Sequence, residues 1–321
     1  MKPFPRSLGA LGAVAVALAL AACGSSSPKT SSSSTTAGST AKESINITSA
    51  NFSEDTLVAY MYADALTHAG YKVSTQKLNL GTREVYLKAM EAGEVDLVPD
   101  YVGSLTQQLN TDENGPTANT TNPLASSDLT KTHANASTLA AKKGLTLLAS
   151  SPAADQNGYG VSQATATKDH LTSLDQISKY SSSWIFGGPA ECQTRPDCLP
   201  GLASAYGAHF SSFKALDAGG PLTLAALVNG SIQMGVVFTS DGTAAADHIV
   251  ILPDPKSIAP VDNITGLIRQ AKATPAVDAI INKVDAALTT DELRTLNEQI
   301  GVNKADPATL AQQFDSQHGL T

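Results

Sequence analysis

Aromatic residues are scarce in this 321-residue chain: seven Phe, eight Tyr and one Trp, 5% of the total. Charge is scarce too, at 16% of residues against about a quarter in ordinary soluble proteins. Positive charge is the scarcer sign, with 21 Lys and Arg against 29 Asp and Glu and a net of -8. That balance excludes nucleic acid as the natural partner, because phosphate binding needs a basic face. Beyond residue 22 no run of 18 apolar residues occurs, so nothing in the body reads as a membrane span. Enzyme signatures are missing as well. There is no G-x-S-x-G elbow, no phosphate-binding P-loop and no H-E-x-x-H helix. The six His residues (68, 133, 170, 209, 248 and 318) are scattered, with no pair at helical ligand spacing. No catalytic group, metal or cofactor is therefore expected.

The N-terminus carries part of the charge deficit. Lys2 and Arg6 are followed by Leu8–Ala22, 15 residues with no charge. A basic start and a short apolar run read as a secretory signal peptide over residues 1–22. It ends Leu20-Ala21-Ala22-Cys23-Gly24, which resembles the bacterial lipobox, so Cys23 is expected to carry lipid. No twin Arg precedes the run, which favours ordinary secretion. Twelve of the 19 residues from 24 to 42 are Ser or Thr. Such a stretch cannot bury enough surface to offset chain entropy, and 23–42 reads as a tether. Removing residues 1–22 leaves 19 positive against 29 acidic residues.

Two Cys remain, Cys192 and Cys198, in the segment ECQTRPDC. An exported chain sits in an oxidising compartment, so a disulfide is expected. A metal-binding pair is the competing reading, weakened by the lack of further His or Cys at ligand spacing.

The body alternates. Ile45–Thr48 reads as a strand, then a helix from Ser53 with an apolar stripe at Leu57, Val58, Met61, Ala65 and Leu66. Ser53 is its expected cap. A strand near Tyr71–Leu78, a helix Arg83–Ala92 and a strand Val95–Val98 complete a β-α-β-α-β start. Residues 110–137 read as a long polar loop with a helix near Ser126–Ala141. The helix–Gly–strand pattern around Gly93 recurs around Gly230, suggesting two similarly built lobes. The C-terminal third is helical, with Asp306 and Pro307 opening the last helix.

Six segments in order carry a resemblance: Asn51-Phe52-Ser53-Glu54, Leu80–Val85, Gly93–Gly103, Pro189–Gly207, Gly219–Leu222 and Val237–Gly242. Together they resemble the substrate-binding lipoproteins of osmoprotectant ABC importers over nearly all of 45–321. The resemblance implies an α/β, two-lobed, periplasmic-binding-protein-like (type II) fold with two crossovers. Residues 43–148 plus 245–321 would form the first lobe and 149–244 the second. Asp155–Asn157 and Ser240–Ala245 would face the cleft near the crossovers. It further implies a small quaternary-ammonium ligand, ABC permease partners, a lipid anchor at the membrane and action as a monomer outside the cytoplasmic membrane.

Chemistry sets what such a site needs. A quaternary ammonium cannot donate a hydrogen bond, so aromatic faces and negative potential recognise it. Tyr101 is the first candidate, with Phe52, Tyr159 and Phe238 as others near strand ends. A betaine carboxylate needs cations or N–H donors. Arg195, in the Cys loop, is the candidate the resemblance places there. Thr82 and Arg83 open a helix, and Asn51, Asn157, Asp155, Glu191 and Asp241 complete the expected ligand set. The sequence departs from the family in having Ala50 and Val98 where several members have Lys and Tyr. The alternatives are another small ligand (an amino acid, thione betaine or aromatic compound) in the same receptor role, or an exported enzyme.

Overall fold

Two five-stranded sheets organise the body in the computed structural model, which describes residues 42–217 and 219–321. The expected signal peptide, Cys23 and nearly all of the tether lie outside those residues. The first half runs β1 (Ser44–Ala50), α1 (Ser53–His68), β2 (Lys72–Gly81), α2 (Arg83–Glu91) and β3 (Leu97–Tyr101). Then come α3 (Val102–Asn114), α4 (Ala118–Thr121), α5 (Leu129–Lys142) and β4 (Leu145–Ala154). The middle holds β5 (Asn157–Ser162), α6 (Gln163–Lys168), β6 (Ile185–Gly188), α7 (Leu199–Tyr206) and β7 (Ser212–Ala215). It continues with α8 (Pro221–Val228), β8 (Met234–Phe238), α9 (Gly242–Ala246) and β9 (Ile249–Leu252). The chain returns through β10 (Asn263–Arg269), α10 (Pro275–Ala287), α11 (Thr290–Gly301) and α12 (Pro307–Gln317).

The sheet orders are β2-β1-β3-β10-β4 and β7-β6-β8-β5-β9. Sheet membership moves both expected lobe boundaries. β4 stays in the first sheet to Ala154, and β9 pairs with β5 in the second sheet to Leu252. The chain thus crosses at Asp155–Gln156 and again between Pro253 and Asp262. Ser240–Ala245 is not the second crossover, because the strands on either side of it belong to one sheet. The two crossing strands are tied together, Asp155 N–H donating to the Asp262 carbonyl at 3.0 Å.

Each lobe has its own core. α1 is buried nearly all round, with Leu57, Val58, Met61, Tyr62 and Leu66 at 0% exposure against α10 and α12. Burial of each large apolar side chain contributes about 1.5–3 kcal/mol. Tyr159, Trp184, Phe186 and Leu202 centre the second lobe. The echoed helix–Gly–strand device is present in both: Gly93 (φ 76°) closes α2 and Gly230 (φ 75°) closes α8. Left-handed backbone at such a stop favours glycine.

Several local expectations change. The cap of α1 is Phe52 rather than Ser53, with no side-chain hydrogen bond. The polar stretch after residue 110 is more ordered than expected, because Asn119 bonds the Gln107 carbonyl and Thr111 Oγ1 at 2.9 Å each. These bonds dock α4 on α3. Asp306 does cap α12, accepting from Thr309 N–H at 3.0 Å. Among the described residues no helix is long and apolar enough to cross a membrane.

Candidate ligand-binding site

A cavity of about 180 Å³ opens between the two sheets. β3 ends at Tyr101, three residues later than expected, and α3 starts on the next residue. This places Tyr101 at a strand-to-helix corner. Its ring stands 5.9 Å from the Phe52 ring, tilted by 31°. Phe52 keeps 42% of its surface exposed, an unusual figure for Phe, because it forms the cavity wall.

Carboxylates stand around this aromatic corner. Tyr101 OH donates to Glu54 Oε1 at 2.6 Å, and Asn297 Nδ2 donates to Glu54 Oε2 at 2.5 Å. Desolvation raises the Glu54 pKa, and the hydrogen bonds to it only partly oppose that rise. Asp155 lines the cavity and accepts from Ser240 Oγ at 2.6 Å. Desolvation and then the Glu54 charge push its pKa well up. Asp262 also lines the cavity, and its carboxylate caps α3 from across the fold. Its Oδ1 accepts from Gly103 and Ser104 N–H at 2.9 and 2.8 Å, and Ser104 Oγ donates to Oδ2 at 2.5 Å. Desolvation raises Asp262 to about 6. Gly103 is required there, since a Cβ would fall 2.2 Å from the Val261 carbonyl oxygen.

The cation on this wall is already used. Arg83 donates to Asp100 Oδ1 through Nε (3.0 Å) and Nη2 (2.8 Å), and Tyr86 OH donates to Asp100 Oδ2 at 2.8 Å. Asp100 is fully buried and its charge is paired with Arg83, so it adds little negative potential to the cleft. Tyr86 is buried at 1%, as a packing residue should be, but its hydroxyl belongs to this network.

The facing wall comes from the second lobe. Cys192 and Cys198 are joined by a disulfide with Cα atoms 5.2 Å apart, which settles against the metal pair. The loop it closes puts Pro189, Glu191 and Arg195 on the cavity. Arg195 and Glu191 are about half exposed and 3.7 Å apart. An exposed pair of that kind is worth little, which leaves the guanidinium available. Phe238, at the end of β8, also lines the cavity. Its ring rests on Gly219, where a Cβ would lie 3.0 Å away. Asn157 lines it too, its amide 3.4 Å from Asp197 Oδ2.

Seven of the expected ligand residues therefore converge: Phe52, Tyr101, Asp155, Asn157, Glu191, Arg195 and Phe238. Four do not line the cavity. Tyr159 is 1% exposed in the second core, its hydroxyl holding the Asp197 carbonyl. Asp241 caps α9, accepting from Thr243 N–H at 2.7 Å. Asn51 and Thr82 are exposed away from the cavity. Sequence reasoning missed Ser104, Asp262 and Val236. α3 has no side-chain cap of its own, and its acceptor comes instead from Asp262, far along the chain.

Two α/β lobes, two crossovers and one cleft between them define a type II periplasmic-binding-protein-like solute receptor. The chain belongs to the family described as the substrate-binding domain of ABC-type glycine betaine transport systems, whose model matches residues 43–317. That family consists of solute-binding receptors, not enzymes. The chain is 26% identical over 258 residues to the glycine betaine-binding protein YehZ of Escherichia coli, covering 77% of this chain and 82% of that one. It is 25% identical over 287 residues to the carnitine transport binding protein OpuCC of Listeria monocytogenes, covering 86% and 87%. A solved glycine betaine/carnitine/choline ABC transporter structure shares the fold, with a TM-score of 0.71, 22% identity and coverage of 86% and 99%. The apo YehZ structure from Escherichia coli has a TM-score of 0.68 at 25% identity, with the same coverage.

Proposed function

We propose that the protein is a lipid-anchored extracytoplasmic receptor that captures a quaternary-ammonium osmoprotectant of the glycine betaine, carnitine or choline type. It hands that solute to an ABC permease. The carrying observation is the corner of Phe52 and Tyr101, backed by Glu54 and Asp155, with Arg195 on the opposite wall of the same cavity. A trimethylammonium needs ring faces and negative potential, and each desolvated ring contributes up to about 2 kcal/mol or more. A carboxylate needs a free cation, and Arg195 is only weakly engaged. Phe238 closes the ammonium site from the second lobe, and Asn157 adds a donor. Glycine betaine and carnitine in the names of the two relatives support the same ligand class. The motif at Leu20–Cys23 supports the lipid anchor, and the Ser/Thr tether gives the reach to a membrane partner. The receptor works as a monomer, since one chain supplies both walls of the cleft.

The test is isothermal titration of the purified full-length chain in detergent with glycine betaine, L-carnitine and choline. Saturable binding of at least one at micromolar to millimolar concentration is expected. No heat and no thermal stabilisation with all three at millimolar levels overturns the reading. A second reading, a thione betaine, has one specific support: 26% identity over 162 residues to the ergothioneine transport permease/binding protein EgtU of Helicobacter pylori. That match covers 50% of this chain and 29% of the relative. Ergothioneine belongs in the same titration, and preference for it selects this reading.

A further inference from the structure

The cleft continues past the aromatic corner. A second chamber of about 290 Å³ opens beyond Arg83, Ser104 and Arg195, which line both chambers. One wall is Glu84 of α2 and α3 with Gln107, Gln108 and Thr111, together with Asn119 of α4, so a ligand carboxylate has Arg195, at the mouth shared with the first chamber, as its cation. The other is the disulfide-closed loop at Arg195–Asp197. No aromatic residue lines it, so its chemistry differs from that of the first chamber.

The hydrogen-bonding capacity of this chamber is unevenly used. Asn119 Nδ2 is committed to the Gln107 carbonyl and Thr111 Oγ1. Gln108 Nε2 donates to Asp112 Oδ1 at 2.7 Å, which leaves its Oε1. The half-buried Gln107 carboxamide has no hydrogen-bond partner among the described residues. One carboxamide thus offers both a donor and an acceptor beside a guanidinium held only by a 3.7 Å contact.

We propose that this chamber is a tail subsite, which takes the hydroxyl- and carboxylate-bearing end of an elongated betaine and makes the receptor selective for it over glycine betaine. The inference rests on the quaternary-ammonium reading above. In glycine betaine one carbon separates ammonium from carboxylate, so a ligand anchored at Phe52 and Tyr101 ends near Arg195. A γ-trimethylammonium β-hydroxy acid has three carbons and a hydroxyl, enough to carry polar groups on toward Gln107. A carboxamide suits a hydroxyl because it both donates to and accepts from it. A site built to pair a ligand hydroxyl also disfavours the analogue without one, whose binding leaves that group unmatched.

The experiment is isothermal titration of the full-length chain and its Gln107→Leu variant with glycine betaine, γ-butyrobetaine and L-carnitine. Leu keeps the volume and leaves the Gln107 carbonyl bond to Asn119 untouched. Wild type is expected to bind L-carnitine about tenfold tighter than glycine betaine, with γ-butyrobetaine between them. Gln107→Leu is expected to cut the carnitine-to-glycine-betaine ratio by about fivefold, the worth of one or two hydrogen bonds. Gln107→Glu, which sets a negative charge against the carboxylate, is expected to cut it further, and it serves if the Leu variant melts early. Equal wild-type affinities, or equal losses for all three ligands, overturn the tail subsite while leaving the receptor reading intact. Absence of binding by any quaternary ammonium overturns both.

Discussion

Tyr101 donates its hydroxyl to Glu54 Oε1 at 2.6 Å while its ring faces that of Phe52 at 5.9 Å. One side chain thereby supplies a π-face to the cavity and holds a carboxylate at its hydroxyl edge. The quadrupole of the ring and the carboxylate bonded to its hydroxyl both favour a cation in the cavity.

That pairing separates two substitutions. Tyr101→Ala removes the face and the hydroxyl, and is expected to weaken choline binding by roughly thirtyfold, about 2 kcal/mol. Tyr101→Phe keeps the face and removes only the donor to Glu54, so its loss should be several-fold smaller. Titration of both, with melting curves as fold controls, checks this. Equal losses would mean that the ring does not contact the ammonium.

Arg195 gives a ligand-dependent outcome. Its contact with Glu191 is long and half exposed, so Arg195→Met should leave the melting temperature nearly unchanged. Glycine betaine and carnitine are expected to lose about tenfold or more, the scale of a charge-assisted hydrogen bond, while choline, which has no carboxylate, is spared. Parallel loss of choline would remove Arg195 from the carboxylate site.

Cation binding should release protons. Desolvation holds the Glu54 and Asp155 pKa values above the ordinary carboxylate range, and their mutual repulsion adds to the Asp155 shift. A bound ammonium stabilises the ionised forms, lowers both values and expels the protons they held. Choline affinity is therefore expected to rise as pH rises through their titration. Asp155→Asn should flatten that rise. Calorimetry in two buffers of different ionisation enthalpy measures the release directly, and identical heats in both would count against it.

Stability should run the opposite way. Asp285, buried beside Tyr62 OH at 2.5 Å, is pushed by desolvation from 3.8 to about 8. Asp262 is raised to about 6 in the same way. A raised folded-state pKa means that the folded chain holds protons the unfolded chain has lost. That stabilisation is full below about pH 4 and disappears as pH rises through 6 for Asp262 and through 8 for Asp285. The ligand-free melting temperature is expected to fall by several degrees between pH 5 and pH 8.5. Asp315 is raised to about 8 by desolvation as well, so Asp285→Asn should reduce the fall between 6 and 8.5 without abolishing it, and an unchanged profile in that variant would exclude Asp285 as a source.

The anchor has a simple check. Cys23→Ser is expected to abolish incorporation of a labelled fatty acid and release the chain from washed membranes. Retention of both in that variant would exclude lipidation at this residue.

Local signals in the sequence are short-range, and their reach shows in what was legible. The helix stops at Gly93 and Gly230, the cap at Asp306 and the Cys pair across six positions all depend on near neighbours. Phe52 and Tyr101 could be singled out because aromatics are rare and these two stand near strand ends, and Arg195 because the family resemblance implies a carboxylate-binding Arg in the Cys loop. Asp262 could not, because its partners lie about 160 positions earlier at Gly103 and Ser104. The roles of Tyr159 and Asp241 depended on which face of a strand or loop meets the cleft, and here one faces the core and the other its own helix. Tertiary pairing also decided the second crossover, since only the ladder between β5 and β9 assigns Ile249–Leu252 to the second sheet.

The position of β10 has a consequence for how the molecule comes together. It is the last strand of the first sheet in chain order, yet it lies between β3 and β4 and pairs antiparallel with both. A first sheet lacking it has no contact between those two strands, so an emerging chain cannot complete that half until Arg269 is available. The second sheet, drawn from one continuous stretch between Asn157 and Leu252, has no such wait. Synthesis order and assembly order are thereby reversed: the half begun first is finished last, through contacts of high sequence separation that close slowly.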